Sequence, residues 1–307
     1  MKKNNVPNIL VIIVTFNGMK WIEHCIQSVL SSSVHSDIFV IDNASSDGTP
    51  EYIEKKYPTM HLFRSRKNLG FGAANNIGLQ YAIDNNYDYV YLLNQDAWVK
   101  EDTFEKMIST HLKHPEYGIL SPLQFQANEK HLDFNFGAIL SKWDTETRVC
   151  EDLLIGQKKD VIPFPRIMAA HWLISRDCLI NTGGFSPAFF HYGEDDNYAD
   201  RVWHKGYKVG VVMNAVGIHD RESRTDSKEK QCLLEFYSKV SDISGFKMTA
   251  KEVLWIYMCE ILLKGPATPK YFICRLKYLI KMVFGVPKFN KFKQSSEIKS
   301  AFLKPNE

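Results

Sequence analysis

A short apolar segment that ends in polar residues constrains the fold of this chain more than any other feature of its sequence. Residues 89–93 are apolar or β-favouring and predict a buried strand, and Asn94, Gln95 and Asp96 follow it directly. In an open α/β sheet, ligands bind in the crevice beyond the carboxyl ends of the strands. An Asp at that position is a hard oxygen ligand for a divalent cation that also holds phosphate oxygens. Turns also favour Asp, so this interpretation depends on what the other strand ends carry.

The first hundred residues alternate strand patterns with helix patterns. The strand patterns lie at 8–14, 38–41, 60–63 and 89–93. The helix patterns lie at 19–30, 72–85 and 101–114, and a further helix is predicted with Thr49 as its N-cap and Pro50 as its first residue. Repeated βα units predict an α/β fold with a mostly parallel central sheet that is flanked by helices.

The second half of the chain divides into a mixed region and a helical region. The mixed region ends in a strand pattern at 209–213, and amphipathic helix patterns follow at 253–263 and 271–284. We therefore predict a catalytic domain over residues 1–226 and a helical, basic C-terminal extension over residues 227–307.

Composition excludes several classes of protein. With 307 residues, of which 45% are hydrophobic and 24% charged, the chain has the make-up of a globular protein with a sizeable core. Its six cysteines include no CxxC pair, which disfavours a zinc site and a disulfide framework. We find no signal-peptide pattern, and no apolar run reaches the roughly 20 residues of a membrane span. We therefore expect a cytoplasmic protein.

Charge is distributed unevenly along the chain. Residues 264–307 hold ten Lys or Arg and two Asp or Glu, whereas residues 1–263 hold 28 and 33. Four lysines share one face of the predicted last helix: Lys270, Lys277, Lys281 and Lys288. A basic amphipathic helix can lie in an anionic membrane interface, which would make the protein peripheral at the inner face of the cell membrane. The alternative is a surface helix that packs its apolar side on the body of the protein.

Three of the first four predicted strands end in polar residues. The residues at these ends are Thr15 and Asn17, then Asp42, then Asn94 with Gln95 and Asp96. Because the carboxyl ends of parallel strands lie on one rim of a sheet, we expect these side chains to converge on a ligand site. The alternative, which any single strand end would favour, is that they only form the loops.

Residues 70–75 resemble half of a dinucleotide-binding fingerprint. The segment follows the third strand rather than the first, and Asn75 stands where Gly or Ala is expected, so it gives weak support for NAD. We interpret Gly70 as a position where the backbone approaches a ligand closely, with Asn68 and Asn75 as hydrogen-bonding candidates.

Three consecutive acids, Glu194, Asp195 and Asp196, follow an aromatic run at 189–192. Repulsion between adjacent carboxylates raises the pKa of at least one of them, which suits a general base. The alternative is a helix N-terminus, where the helix dipole favours acids. The two interpretations are compatible.

His219 follows the last predicted strand and is a candidate second metal ligand beside Asp96. A single His is more often structural than a ligand, so both interpretations stay open. A mixed set of oxygen and imidazole ligands suits Mn²⁺ somewhat better than Mg²⁺.

Taken in order, these motifs resemble glycosyltransferase family 2, the inverting enzymes of the nucleotide-diphospho-sugar transferase (GT-A) fold. The resemblance covers about residues 9–221 and rests on six segments, at 14–17, 41–48, 68–78, 92–96, 183–185 and 193–195. The segment at 68–78 and the strand end at 94–96 are most similar to rhamnosyltransferase-type members, many of which use dTDP-rhamnose.

The resemblance implies roles for the matching residues. Thr15 and Asn17 would line the nucleotide pocket, and Asp42 would hydrogen-bond the base. Asp96 corresponds to the last acid of the metal-binding Asp-x-Asp motif, and His219 to a histidine that often completes the metal site. Further candidates for contact with the donor are Asn68, Gly70, Asn75, Asn94 and Gln95.

Asp195 corresponds to the general base of the family's Glu-Asp motif. The implied reaction is a single displacement that moves a sugar from dTDP-rhamnose or a UDP-sugar to a hydroxyl group. The implied acceptor is a saccharide or lipid-linked saccharide, the implied process is cell-surface polysaccharide synthesis, and the implied cofactor is Mn²⁺ or Mg²⁺.

The chain departs from the family pattern at four positions. Asn94 replaces the first Asp of Asp-x-Asp, and Gln95 stands where rhamnosyltransferase-like members often have Pro. Asn197 replaces an Asp that often follows the base, and Ala169 replaces a usual Gly. These changes indicate a weaker metal requirement and an altered acceptor rim.

Other functions fit the sequence less well. A sugar nucleotidyltransferase would need a Gly-rich, cationic first loop, which residues 15–18 do not form. An NAD oxidoreductase would need the missing fingerprint, and DNA binding has only the basic tail in its favour. A non-catalytic nucleotide-sugar-binding homologue stays open because of Asn94 and Asn197.

Overall fold

The computed structural model describes residues 7–157, 159–221, 227–263 and 269–303, apart from the side chains of Leu153, Pro269 and Lys270. The strands in these residues are β1 Ile9–Thr15, β2 Asp37–Asp42, β3 His61–Arg64, β4 Tyr89–Asn94, β5 Ala97–Val99, β6 Tyr117–Phe125, β7 Val161–Pro163, β8 His171–Ser175 and β9 Lys208–His219. The helices are α1 Ile22–Leu30, α2 Thr49–Lys56, α3 Phe71–Asp84, α4 Thr103–Lys113, α5 Phe134–Thr147, α6 Val149–Leu154, α7 Arg176–Thr182, α8 Glu194–His204, α9 Lys228–Ser244, α10 Ala250–Leu263 and α11 Pro269–Ser295.

These strands form one mixed sheet in the order β3-β2-β1-β4-β8-β6-β9-β5, with β7 beside β9. The first four strands in this order pair in parallel, as the βα alternation predicts. Beyond β4, the pairs β4–β8, β8–β6, β9–β5 and β9–β7 are antiparallel, and β6–β9 is parallel. The α/β expectation is therefore met, but the sheet is mixed rather than mostly parallel, because successive parallel pairing is confined to β3, β2, β1 and β4.

The central strand β1 is buried on both of its faces. Leu10 and Ile12 point into one apolar core, and Val11 and Ile13 point into a second core on the other side of the sheet. Successive side chains of a strand alternate between faces, so an uninterrupted apolar strand requires a cover on both sides. Helices on the two faces supply that cover and hold the strand ends rigidly.

Two predicted boundaries are corrected by the structure. Thr49 is the first residue of α2 rather than its N-cap, because Gly48 occupies the cap with φ +88°. The Asp47 carboxylate accepts the Thr49 amide at 3.1 Å and supplies the capping interaction instead. The last strand runs on to His219, since a register shift in its pairing with β6 between Val212 and Val216 carries it past the polar residue Asn214.

The C-terminal helices pack against the α/β body through a third apolar core. This core joins α9, α10 and α11 to Phe189, which lies just before α8. The chain then returns to the sheet domain, where Gly184 N–H donates to the Ala301 carbonyl at 2.8 Å and Ser300 N–H donates to the Ile180 carbonyl at 2.7 Å. The predicted domain boundary after residue 226 adjoins residues 222–226, which lie outside the described residues. Within the described ranges, we find no helix with both the length and the apolarity needed to cross a bilayer.

Candidate active site

The polar ends of β1, β2 and β4 lie side by side at one rim of the sheet. Thr15 is in register with Asp42 of the neighbouring strand, and Val14 is in register with Asn94 on the other side. The parallel pairing of these strands therefore brings together the three polar strand ends that the sequence singled out.

Gln95 fastens the loop after β1 to the end of β4. Its side-chain oxygen accepts the Thr15 hydroxyl at 2.8 Å and the Phe16 amide at 2.9 Å, and its amide group donates to the Phe16 carbonyl at 3.2 Å. The polar atoms of Gln95 and the Thr15 hydroxyl are thus engaged within the protein. The structure gives these two predicted donor-binding residues a role in shaping the rim.

Asn17 joins the first loop to the second. It has φ +51°, and its side-chain oxygen accepts the Ser46 amide at 2.9 Å while its own N–H donates to the Ser45 hydroxyl at 2.9 Å. Asn tolerates the left-handed conformation better than most residues, so it can turn the chain here and bridge the two loops.

Asp42 presents a buried carboxylate at the end of β2. One of its oxygens accepts the Ser45 amide at 3.1 Å. The other oxygen, Oδ1, is buried and has no hydrogen-bond partner in the described part of the protein. Leaving a buried acceptor unpaired is costly, so this oxygen is suited to accept an N–H from a bound ligand.

Hydrogen bonds between asparagines hold the loop between β3 and α3. Asn68 accepts the Asn43 amide group at 3.0 Å and the Gly70 N–H at 2.9 Å, and Asn43 accepts the Leu69 N–H at 2.7 Å. Asn75 is buried and donates to the Phe71 carbonyl of its own helix at 3.0 Å. The hydrogen bonds of these side chains thus hold the loop and the start of α3.

The close backbone approach that Gly70 permits is to another part of the protein. Gly70 has φ +82° and ψ 172°, a conformation that is essentially limited to glycine. A Cβ at this position would lie 2.1 Å from the Phe190 carbonyl oxygen. The Phe71 N–H donates to the same oxygen at 3.2 Å, so Gly70 lets the start of α3 dock on the segment before α8.

We expect Gly70→Ala to destabilise the protein strongly. The variant combines an unfavourable backbone conformation with a clash against backbone, for a total of roughly 2–5 kcal/mol. Gly206→Ala is the matched control, since Gly206 has φ +86° but a Cβ there meets no described atom within 4 Å. Urea unfolding should show a loss of about 1 kcal/mol for the control. Equal losses for the two variants would contradict the proposed docking contact.

Asp96 and His219 meet between the ends of β4 and β9. Asp96 Oδ1 lies 3.4 Å from His219 Nε2, and the Asp96 carbonyl accepts the Asp220 N–H at 2.8 Å. Burial favours the neutral form of Asp96, but the contact with the His219 ring and its charge outweigh that effect and lower the pKa of the Asp96 carboxyl. The carboxylate is therefore held in the ionised form that a metal ligand requires.

A second carboxylate lies behind the His219 ring. Asp133 is buried, caps the start of α5 and places Oδ2 at 3.7 Å from His219 Nδ1. Among the described residues, Nδ1 of this buried ring has no hydrogen-bond partner. A carboxylate behind a ligating imidazole is the usual second partner that orients such a ring.

The donor set at Asp96 and His219 fits a metal that the substrate helps to hold. One carboxylate and one imidazole are ligands that Mn²⁺ accepts. In the ranges that the structure covers, no group of three or more His, Cys, Asp or Glu side chains is arranged to hold a metal ion. A divalent cation would therefore need further oxygen ligands, which phosphate groups and water can supply.

The acidic cluster forms the first turn of α8, as the helix interpretation predicts. Two residues with positive φ, Tyr192 at +77° and Gly193 at +83°, turn the chain into this helix. Burial raises the pKa of Asp195, and burial together with the charge of Asp195 raises the pKa of Glu194. The interpretation of Asp195 as a general base is therefore compatible with a helix start. For these two acids, desolvation raises the pKa more than the helix N-terminus lowers it.

One short segment, residues 169–170, lies between Asp195 and the end of β4. The backbone of Ala169 lies beside the Asp195 carboxylate and favours its ionised form. The next residue, Ala170, accepts the Asn94 N–H at 3.1 Å. The proposed base and the proposed metal-binding strand end therefore flank the same piece of backbone.

Arg166 anchors α8 to the rest of the molecule. Its guanidinium binds Asp200 of α8 at 2.5 Å and Asp242 of α9 at 3.1 Å, and it lies 3.5 Å from Asp196. Asn197, which stands where the family often has Asp, is buried and donates to Ser244 of α9 at 3.1 Å. The departure at Asn197 thus serves the packing of the C-terminal helices.

Sequence reasoning missed several residues that shape the site. Asp133 carried the signal of a helix N-cap, and Asn43 lay inside a recognised segment, but neither pattern identified its tertiary partner. His171 carried no signal. It is fully buried, donates from Nε2 to the Ile218 carbonyl at 3.0 Å and accepts from Tyr91 at 2.9 Å, and burial lowers the pKa of His171 to about 3. This neutral ring fixes the backbone beside His219.

Comparison with solved structures defines the fold. A mannosyltransferase from Pyrobaculum calidifontis, solved with GDP-Man and Mn²⁺, superposes with a TM-score of 0.60 at 17% identity over 92% of this chain and 88% of its own. TarS of S. aureus (residues 1–349) superposes with a TM-score of 0.60 at 13% identity, over 94% and 90%. The fold is that of the GT-A glycosyltransferases, with an added helical C-terminal region.

The family follows from the sequence comparisons. Residues 10–153 match the model of glycosyl transferase family 2. The hexosyltransferase Agl10 of low-salt glycan biosynthesis in Haloferax volcanii is 19% identical over 93% of this chain and 92% of its own length. An N-acetylglucosaminyl-diphospho-decaprenol L-rhamnosyltransferase of Mycobacterium tuberculosis is 23% identical over 70% and 76%. The match therefore places residues 10–153 in glycosyltransferase family 2.

Proposed function

We propose that this glycosyltransferase is an inverting, metal-dependent enzyme of cell-surface polysaccharide synthesis. It would move a sugar from dTDP-rhamnose or a UDP-sugar to a hydroxyl of a saccharide or lipid-linked saccharide. The observation that carries the proposal is the Ala169–Ala170 backbone, which joins the Asp195 carboxylate to the β4 end beside Asp96. Family membership and the acceptor named for the mycobacterial relative support the proposed substrate class.

Asp195 is the proposed general base. Its carboxylate accepts the proton of the acceptor hydroxyl while the acceptor oxygen forms a bond to the anomeric carbon. The bond from that carbon to the diphosphate oxygen breaks at the same time, and the bonding electrons leave with the diphosphate. Because attack and departure take place on opposite faces, the anomeric configuration inverts. Desolvation raises the pKa of Asp195, which makes it a stronger base than an exposed Asp.

The donor would bind along the rim formed by β1 and β2. The unpaired Oδ1 of Asp42 is placed to accept an N–H of the nucleobase. The loops joined by the hydrogen bond between Asn17 and Ser46 form the adjacent wall. Rigid loops reduce the entropy lost on binding and hold the donor in a defined orientation.

Asp96 and His219 would hold the divalent cation, with Asp133 orienting the imidazole. When bound, the cation neutralises charge on the diphosphate as it leaves. The Asp96 carboxylate is prepared for this role, since its pKa is lowered beside His219. The missing second acid at Asn94 is consistent with a cation that depends more on the donor phosphates for its ligands.

We expect the acidic limb of the pH–activity profile to lie above the ordinary range of an aspartate. The base works in its ionised form, so activity is lost as the pH falls through the raised pKa of Asp195. The measurement is kcat/KM against pH for the wild-type protein and for Asp196→Asn, in which the limb should persist. Activity that is independent of pH down to about pH 4 would contradict a base with a raised pKa.

A panel of nucleotide sugars tests the proposed activity. Thermal shifts with dTDP-, UDP- and GDP-sugars, each with and without Mn²⁺, should show stabilisation by one nucleotide class that increases with metal. The stabilising donor is then offered with saccharide acceptors, and the anomeric configuration of the product is determined. Binding without turnover would favour the non-catalytic homologue, and a product of retained configuration would overturn the inverting mechanism.

A further inference from the structure

We propose that the exposed face of α11 binds an anionic lipid bilayer. The occupant is a membrane surface that carries acidic headgroups, and the contact residues are apolar side chains bordered by a row of lysines. This inference concerns binding alone and does not depend on the proposed chemistry at Asp195.

The face is an apolar stripe that the protein leaves uncovered. Five large apolar residues of α11 are exposed: Ile273, Leu276, Ile280, Val283 and Phe284. Their spacing of three, four, three and one places them within one arc of about 100° on a helix of 3.6 residues per turn. Phe284 is 82% exposed and Ile273 is 64% exposed, so the stripe faces solvent along three turns.

The opposite side of α11 already supplies the contact with the protein body. Met282 and Phe289 are buried in the third apolar core, and Arg275 is buried with an ion pair to Glu235 of α9. The sequence left open whether the apolar side of this helix packs on the body or faces a membrane. The structure shows that the helix has two apolar sides and that one of them is exposed.

Lysines border the exposed stripe along one edge. Lys277, Lys281 and Lys288 are exposed and follow the stripe at intervals of four and seven residues. Lys270, predicted to join this row, has a side chain outside the described residues. Residues 269–295 contain seven Lys or Arg and no Asp or Glu. Long lysine side chains can bury their aliphatic stems beside the stripe while the ammonium groups reach acidic headgroups.

The neighbouring helix exposes further apolar side chains. On α10, which packs against α11 in the same core, Trp255 is 63% exposed and Leu262 is 65% exposed. Trp is favoured at the boundary between water and acyl chains because its ring is amphipathic. An isolated exposed residue needs no explanation, but a continuous exposed stripe on α11, with further exposed apolar side chains on the adjacent α10, indicates a contact surface.

A lipid surface fits this face better than a second copy of the chain. A symmetric dimer places the same patch of each subunit against the other. The lysine row would then approach a second lysine row, and α11 has no acid to separate them. Like charges brought together in an interface oppose association, whereas an anionic bilayer attracts every lysine in the row.

Packing connects the proposed membrane face to the catalytic helix. Tyr278 of α11 packs on Phe236 of α9 with ring centroids 5.0 Å apart, and Ser244 of α9 accepts a hydrogen bond from Asn197 of α8. A protein seated on a membrane through α11 would therefore hold α8, with Asp195 in its first turn, at a defined orientation to the bilayer.

Vesicle co-sedimentation of the full chain tests the proposal. We expect binding to vesicles of equal parts phosphatidylglycerol and phosphatidylcholine, and much weaker binding to phosphatidylcholine alone. Combined Leu276→Ser, Ile280→Ser and Phe284→Ser should lower the partition coefficient at least about tenfold. Lys277→Gln with Lys288→Gln should lower it by roughly fivefold per lysine on the anionic vesicles only.

Matched variants at other sites provide the controls. Leu112→Ser removes a residue of α4 that is 67% exposed, and Lys55→Gln removes an exposed charge of α2. Both should bind vesicles like the wild type, and all variants are checked for an unchanged melting temperature. Undiminished vesicle binding of the stripe variant would overturn the proposal. A wild-type dimer that the stripe variant converts to monomer, without vesicle binding by either, would assign the face to self-association instead.

Discussion

Asp195→Asn is expected to abolish sugar transfer while donor binding persists. Asparagine keeps the size of the side chain but cannot accept the proton of the acceptor hydroxyl. General base catalysis contributes about 10²–10⁴-fold, so kcat should fall by at least roughly 10²-fold. The dissociation constant for the nucleotide sugar should stay within about twofold, because the proposed donor-binding residues at the ends of β1 and β2 belong to other elements than α8.

Asp196→Asn is the matched control for this prediction. Asp196 is the next residue in the same helical turn, but its contact with Arg166 is long at 3.5 Å, and Arg166 keeps Asp200 and Asp242 as partners. We expect its kcat to change by no more than a few-fold, with an unchanged melting temperature. Near-normal turnover of Asp195→Asn would exclude Asp195 as the base, and equal losses in the two variants would point to a general effect on the helix start.

Asp96→Ala is expected to weaken binding of the nucleotide diphosphate whenever Mn²⁺ is present. The substitution removes the proposed carboxylate ligand at the end of β4 and leaves His219 as the remaining proposed protein ligand. We expect the dissociation constant for the nucleotide in Mn²⁺ to rise by roughly tenfold or more, and transfer to be lost. Isothermal titration calorimetry with and without a chelator separates the metal-dependent part of the affinity.

Asp102→Ala is a suitable control for the loss of an aspartate. Asp102 is a half-exposed residue just before α4, where it pairs with Lys106 at 2.6 Å. It should bind nucleotide and metal like the wild type, because a surface pair contributes little to stability. If Asp96→Ala showed the same affinity as wild type in Mn²⁺, Asp96 would not be a ligand.

The sequence predicted which polar residues lie together better than it predicted the hydrogen bonds that each of them makes. The polar strand ends at Thr15, Asp42 and Asp96 were expected on one rim, and the register of β2, β1 and β4 places them there. The roles of Gln95 and Asn75 were not predictable in the same way. Gln95 binds a loop 79 residues away, so its partner could not be inferred from local pattern, whereas Asn75 bonds the Phe71 carbonyl of its own helix.

Gly70 shows the same difference between what the local sequence predicts and what the tertiary structure decides. The sequence indicated correctly that Gly70 permits a close backbone approach, since glycine adopts positive φ without steric cost. It named a ligand as the neighbour, whereas the structure places the carbonyl of Phe190 beside Gly70. A backbone conformation is a local property of the chain, whereas the neighbour it admits depends on how distant segments pack.

The α/β alternation, the polar strand ends and the acidic helix start are set by residues that are neighbours along the chain. Periodicity and propensity act over a few residues and predicted the α/β alternation, and the ordered motifs carried the resemblance to glycosyltransferase family 2. The pairing of β4 with an antiparallel β8, the contact of Asp96 with His219 and the outward turn of the α11 stripe were decided by tertiary packing. The burial, the pKa and the hydrogen-bond partners of a side chain depend on segments brought together from across the chain. In α11, packing against α9 and α10 buries one apolar side and leaves the other exposed to solvent.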